Sequence, residues 1–513
     1  MSSVSLKKSY WGSAIVTILL AIGFFLLFKK FLPENIFPET VAIDKEHRAV
    51  DEWMQSAIEE PLDSTALDTL EIEEEKISPD SLDLEKPEPV ELDKSELIKS
   101  DLNQVEEQFY LEYFYSQLFR LEQNPDDEKV RIAYFGDSMT DGDLIVQDIR
   151  RKFQEKYGGR GIGFVPITSE SAKSRASIIH RFSDNWTSYS FMKKDSVKRP
   201  YGVSGMVFYA NDSVEPAELR FKRGVNASNN LLPNPTLYYG QSTNDSAEVK
   251  MIAKKDTSLF ELNPQKNLNK LSLSSGILSE FELDFSKADS IPFYGVNFDI
   301  STGVQIDNFS KRGNSGLPLT QLDANLMKTF QQDLQYDLIV LHFGTNVLNR
   351  DSFKYGWYQA RMKRVVAHVR RVFPESSILV ISIADKSTKY DTEMQTDSAV
   401  NHLLAAQKAY AKEAKTGFVN LYALMGGEGS MVKWVEEEPP RANKDYTHFN
   451  SFGAREIAEM IYGELEHGFQ EFKERRKTME KKEINDSIFE AEKFEQQKED
   501  ELQKQDSTDV DIP

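Results

Sequence analysis

At 513 residues, with 40% hydrophobic and 11% aromatic side chains, the chain is too long for one compact core, so two or more domains plus non-globular segments are expected. Its formal net charge of -21 offers no basic stripe for a phosphate backbone, which argues against nucleic acid as a partner. With no cysteine at all, disulfides, thiolate zinc sites, iron–sulfur clusters and a cysteine nucleophile are excluded.

The first element is a membrane anchor. Residues 11–28, "WGSAIVTILLAIGFFLLF", carry no charge and reach the lower length limit for a helix that crosses the hydrocarbon layer. Lys7 and Lys8 precede the run and Lys29 and Lys30 follow it, without the small-residue cleavage site of a signal peptide. Residues 1–30 therefore read as an uncleaved transmembrane helix. The free amino terminus tips the positive-inside count toward a cytoplasmic N-terminus, placing the body outside the cytoplasmic membrane.

Residues 31–100 are rich in Glu, Asp, Ser and Pro, as in "EIEEEKISPDSLDLEKPEPVELDKSE", and hold too few large apolar residues to bury a core. They read as an acidic, disordered, self-repelling tether. From Asp101 to Glu122 the residues Val105, Phe109, Phe114, Leu118 and Leu121 fall near helical spacing, with Asp101 as a plausible N-cap. This predicts a helix docked on the body.

Strand-like and helical patterns then alternate. "VRIAYF" leads into a helix near Leu144 to Lys156, and much later come "VQIDNF", "YDLIVLHF", "SSILVISIA" and "TGFVNLY" with amphipathic stretches between them. Short apolar runs separated by helices predict an α/β domain, a parallel sheet covered on both faces and interrupted once, over 101–183 and 303–470. Between 184 and 302 the pattern changes to short alternating runs broken by Asn, Gly, Pro and Ser, which predicts an inserted antiparallel β-sandwich. Residues 471–513 form a charged, helical or disordered tail, expected to fray from Lys481.

The residues that carry chemistry fall where strands should end, which is where sites gather in such sheets. They are Gly136-Asp137-Ser138, then "FSKRGNSGLPL" with Gly313 and Gly316, then "HFGTN" with Gly344, Thr345 and Asn346. A fourth stretch, "KDYTHFNSFGAREIA", supplies Asp445 and His448 before a helix that Asn450 or Ser451 can cap. Singly each is weak. In this order they meet the needs of a serine hydrolase. The Ser138 hydroxyl needs a base, which His448 can be, and Asp445 can orient that imidazole. The backbone N–H groups of Ser138 and Gly316 and the side-chain amide of Asn346 can serve a developing oxyanion.

These four stretches resemble the blocks of the SGNH (GDSL-like) hydrolase superfamily over about Val130 to Leu465, apart from the insert. The resemblance implies a flavodoxin-like α/β/α fold, a serine esterase or acyltransferase, a triad of Ser138, Asp445 and His448, and an oxyanion hole of Ser138, Gly316 and Asn346. It implies no cofactor and no metal. Two departures stand out: Val347 occupies a position that is usually acidic, and Met139 replaces the usual leucine. "FQEKYGGRGIGFVP" and "LYALMGGEGSMVKW" further resemble bacterial peptidoglycan and polysaccharide O-acetylesterases, whose carbohydrate-binding β-sandwich is inserted at the same place. An acylated envelope glycan is then the implied substrate. Transfer of the acyl group to a sugar, or a silent glycan-binding scaffold, are the alternatives.

Several features read otherwise. "GGRGIG", 158–163, follows a helix rather than a strand and so lacks the setting of a dinucleotide fingerprint. Asp141 and Asp143 read as solvated loop carboxylates, His180 and His342 lack ligand spacing, and Trp186, Tyr209, Tyr238 and Tyr239 read as packing before sugar stacking.

Overall fold

The computed structural model describes residues 110–224, 232–349 and 353–508, with side chains described as far as 482. The expected anchor, the tether and the start of the leading helix, Asp101 included, lie outside the described residues.

Five parallel strands form the centre: β1 Lys129–Gly136, β2 Gly303–Asn308, β3 Leu338–His342, β4 Ser377–Ile381 and β5 Gly417–Val419. They pair in the order β2-β1-β3-β4-β5, with Ile132 beside both Ile306 and Leu338. This is the flavodoxin-like strand order, whose switch point lies between β1 and β3. Both faces are buried, which is why these strands read as almost unbroken apolar runs.

Side-chain alternation divides the core in two. Ile132, Tyr134, Leu338, Val340 and Leu379 point to one face, against helices α1 Glu112–Gln123, α2 Val146–Tyr157 and the start of the C-terminal helix α6, Ser451–Thr508. Ala133, Phe135, Ile339, Leu341 and Val380 point to the other, against α3 Ala324–Leu334, α4 Gly356–Val372 and α5 Val400–Glu413. In α1, Phe114, Leu118 and Leu121 of the expected stripe are buried. Each large side chain so buried contributes about 1.5–3 kcal/mol.

The inserted β region is a sandwich of two antiparallel sheets, one five-stranded and one six-stranded. It begins earlier than the expected residue 184. Gly163–Val165 already pairs with Phe293–Phe298, and Ile178–Phe182 is the edge strand beside Ala217–Arg223. The polar stretch between them, "PITSESAKSRAS", hides these short strands from a reading by alternation.

A buried charge network mounts the sandwich on the sheet. Arg131 of β1, wholly buried, donates to Asp307 of β2 at 2.8 Å and to Asn297 of the insert at 2.7 Å, and also pairs with Asp299. The Phe164 N–H donates to Asp307 Oδ1 at 2.8 Å. Removing one partner of such a network strands a buried charge, at about 3–5 kcal/mol. The glycine run has a packing role: a Cβ on Gly159 would sit 2.3 Å from the Val304 carbonyl oxygen and one on Gly161 2.1 Å from that of Phe298. It lets the chain pass against strand backbone.

The helix α6, Ser451–Thr508, is capped by Asn450, whose Oδ1 accepts from the N–H groups of Phe452 and Gly453 at 2.9 and 3.0 Å. Its backbone runs helically past Lys481, where fraying was expected. No glycine or proline follows Gly468 within it, and its sequence is rich in Glu, Lys and Gln, which favour helix.

Candidate active site

The turn that carries Ser138 starts where β1 stops. The Asp137 carbonyl accepts from the N–H groups of Thr140 and Asp141 at 3.3 and 3.1 Å, folding the chain sharply after the strand. Asp137 and Met139 turn inward and are buried, whereas Ser138 is half-exposed. The Asp137 carboxyl is pushed up to about 6 by burial, although the Met139 N–H, the neighbouring His448 and the Thr345 backbone and hydroxyl groups all favour its charged form. Through Thr345 this side chain ties the turn to the stretch after β3.

The Ser138 hydroxyl donates to His448 Nε2 at 2.9 Å, and His448 Nδ1–H donates to Asp445 Oδ2 at 2.7 Å. A carboxylate only accepts, so the imidazole proton sits on Nδ1 and Nε2 presents its lone pair to the serine. Asp445 is itself held. Its other oxygen accepts from the backbone N–H groups of Thr447 and His448, at 3.0 and 2.9 Å. Burial alone would raise its carboxyl, but these donors and the imidazole carry it below the usual carboxylate range.

Block two is laced to both neighbours. The Lys311 N–H donates to the Gly136 carbonyl at 3.1 Å, and Asn346 Nδ2 donates to the Asn314 carbonyl at 3.2 Å. One amide hydrogen of Asn346 is thereby fixed and the other remains for a ligand. The turn from Gly344 to Leu348 that presents Asn346 is closed by Val347 and Leu348 N–H groups on the Gly344 carbonyl, at 2.9 and 3.1 Å. Val347 is buried in the apolar core, which is why no acidic residue stands there.

Gly316 is placed otherwise than expected. Its N–H donates to Asn314 Oδ1 at 2.9 Å, so in this state it closes a local turn instead of facing an incoming oxyanion. Its φ of +90°, and a Phe343 ring carbon only 2.8 Å from where a Cβ would stand, require glycine there. Asn314 is fully buried, and its Nδ2 finds no partner among the described residues. The pattern Asn-x-Gly in "RGNSG" was the available signal for this residue, since asparagine closes such turns on the N–H two residues on.

The remaining candidates resolve into structure. Asp143 is fully buried and bonded to Arg150 at 2.8 and 3.0 Å, with Arg175 at 3.4 Å, and burial is outweighed so that its carboxyl falls far below the usual range. Asp141 accepts from Ser171 and Arg312 at 2.9 and 3.0 Å, and burial raises its carboxyl. Neither is the solvated loop group its sequence suggests, because their partners lie on other parts of the chain, on α2, at 171–175 and at Arg312. His342 bonds the Tyr134 hydroxyl at 2.7 Å and His180 donates to the Ile167 carbonyl at 3.0 Å; burial lowers them to about 4 and about 3, so both are neutral core histidines. Tyr238 and Tyr239 are buried, and Trp186 packs edge-on against Phe285 and Phe293. Among the described residues no cluster of His, Asp and Glu suits a metal ion.

A solved structure of a peptidoglycan O-acetylesterase superposes with a TM-score of 0.56 at 19% identity, covering 70% of this chain and 96% of its own. A putative GDSL-like lipase from Parabacteroides merdae (TM-score 0.23, 13% identity, 31% of this chain and 72% of its own) and a family two carbohydrate esterase from Cellvibrio japonicus (0.22, 10%, 57% and 98%) superpose far more loosely. No family model matches the chain, and no curated protein matches it. With its 2-1-3-4-5 parallel sheet and the sandwich inserted after β1, the chain shares the fold of that O-acetylesterase structure.

Proposed function

We propose that the chain is a serine esterase that removes acyl groups, acetyl above all, from an envelope glycan such as peptidoglycan, anchored in the cytoplasmic membrane by residues 11–28 with its body outside. The observation that carries the reading is the hydrogen-bonded relay Ser138–His448–Asp445 at the carboxyl edge of the sheet. The glycan and the acetyl group rest on the resemblance of the motifs and on the likeness in fold to a peptidoglycan O-acetylesterase.

Ser138 Oγ attacks the ester carbonyl as its proton passes to His448 Nε2, giving a tetrahedral oxyanion and an imidazolium beside Asp445. The second N–H of Asn346 and the Ser138 backbone N–H meet that oxyanion. Collapse breaks the bond to the sugar oxygen, which leaves with the proton from Nε2 and returns as a hydroxyl. Water, deprotonated by the same nitrogen, then splits the acyl-serine and releases the carboxylic acid.

The test is acetate release from O-acetylated peptidoglycan by the full-length chain in detergent, beside Ser138→Ala. The expected result is release by the wild type only. Equal inactivity of the two on this glycan and on p-nitrophenyl acetate, with glycan binding retained, would show a binding scaffold instead.

A further inference from the structure

A cleft that the ester chemistry does not use lies between the insert and the helices of the central sheet. It has a volume of about 840 Å³ and is bounded on one side by the connection between insert strands Trp186–Ser190 and Met206–Ala210, and on the other by the start of α3 and the last turns of α4. That volume falls within the roughly 300–1,000 Å³ of ligand sites.

Its lining is cationic on a chain whose net charge is -21. Lys193, Lys194, Lys198, Arg199 and Arg371 face it against Asp195 and Asp323 only. Both carboxylates are already engaged, Asp323 by Lys198 at 2.8 Å and Asp195 by Arg199 at 2.8 Å. The Arg199 guanidinium also lies 3.8 Å from the centre of the Tyr189 ring, which fixes its plane.

Arg371 is set by a histidine. His368 donates from Nε2 to the Leu322 carbonyl at 2.9 Å and accepts from Arg371 Nη2 on Nδ1 at 2.7 Å. A carbonyl only accepts, so the proton is on Nε2 and the imidazole is neutral. Burial and the neighbouring guanidinium both lower its affinity for a second proton. The histidine therefore aims the guanidinium without cancelling its charge.

Lys311 links the turn at Ser138 to the insert that forms one wall of the cleft. Lys311 follows β2, its N–H holds the Gly136 carbonyl at 3.1 Å, and its Nζ meets Met206 Sδ of the insert at 3.1 Å. Burial lowers its proton affinity, against the carboxylates of Glu170 and Asp141 and with a smaller contribution from Lys193.

We propose that this cleft is a subsite for a carboxylate-bearing part of the glycan, which holds an acidic chain while an ester further along it reaches Ser138. The inference rests on the esterase reading. The shared chemistry is a row of carboxylates on a sugar chain, supplied either by uronic acid units or by the peptide stems of peptidoglycan. Hydrated carboxylates suit exposed lysines and a forked guanidinium, and attraction of this kind acts on capture more than on the chemical step.

The experiment uses the full-length chain in detergent and the double variant Lys193→Glu/Arg371→Glu, with melting curves to verify folding. Rates are read on acetylated oligogalacturonate, an acetylated muropeptide with its stem, and neutral acetylated chito-oligosaccharide. The ratio of kcat/KM on an acidic substrate to that on the neutral one should fall about tenfold in the variant, chiefly through KM. In the wild type it should shrink as salt shortens the Debye length from about 10 Å at 0.1 M to about 3 Å at 1 M. Whichever acidic substrate shows the larger fall identifies the source of the carboxylates. Unchanged ratios with p-nitrophenyl acetate still hydrolysed would overturn the subsite and leave the esterase reading standing. If no ester is hydrolysed, that reading fails, and binding of unacetylated oligogalacturonate and muropeptide decides the cleft separately: salt-sensitive binding lost in the variant supports it, and its absence overturns it.

Discussion

Ser138 reaches solvent because β1 ends at Gly136 and the buried side chains of Asp137 and Met139 pin the turn on either side of it. The relay beyond it depends on one tautomer of His448, and Asp445 sets that tautomer by accepting the Nδ1 proton at 2.7 Å. Asp445→Asn keeps the shape but can present an amide N–H to Nδ1, which moves the imidazole proton to the nitrogen that must act as base. The expected outcome is a fall in kcat of about 10³–10⁴-fold with the melting temperature little changed, measured on p-nitrophenyl acetate. A fall in stability as large as the fall in rate would point to a structural role. Ser138, Asp445, His448 and Asn346 were legible because their blocks bring fixed residue types to strand ends in a fixed order. Asp143 was not, since burial is a property of the fold: only the turn that places it under Arg150 and Arg175 makes it an internal ion pair.

The strands of the central sheet were legible as apolar runs because both of their faces are covered, and the five-stranded sheet of the sandwich was legible by alternation because one face is open, as in Ala217–Arg223. The edge strand Ile178–Phe182 and the three residues of Gly163–Val165 are too short to carry a period, so the insert's true beginning was hidden. The connection between α3 and β3 carries a testable cost. Asp337 is buried there, accepts the Arg131 N–H at 2.8 Å and is bonded by the Tyr113 hydroxyl, yet burial raises its carboxyl to about 7. A carboxyl raised in the folded state contributes stability below its unfolded value, about 3.9, that is lost as pH climbs through its folded value. Asp337→Asn keeps an oxygen for the Arg131 N–H and has no charge to bury. It should match the wild type near pH 4 and be more stable at pH 8, by on the order of 3–4 kcal/mol, in urea unfolding at each pH. A variant less stable than the wild type at pH 8 would contradict this reading.

At the scale of the molecule, the Arg131 network joins the insert to the sheet that carries Ser138, so the cationic cleft and Ser138 stand at fixed positions. Under the proposed function, a glycan seated in one is held at a set distance from the other. Esterase activity of this kind turns on a covalent step at one oxygen. The direct test is to mix the full-length chain with p-nitrophenyl acetate, quench with acid during turnover and examine the peptide that contains Ser138 by mass spectrometry. A single acetyl group is expected on Ser138, disappearing as the substrate is exhausted and never forming in Ser138→Ala. Acetate released with that peptide unmodified throughout, or released equally by Ser138→Ala, would contradict the serine mechanism.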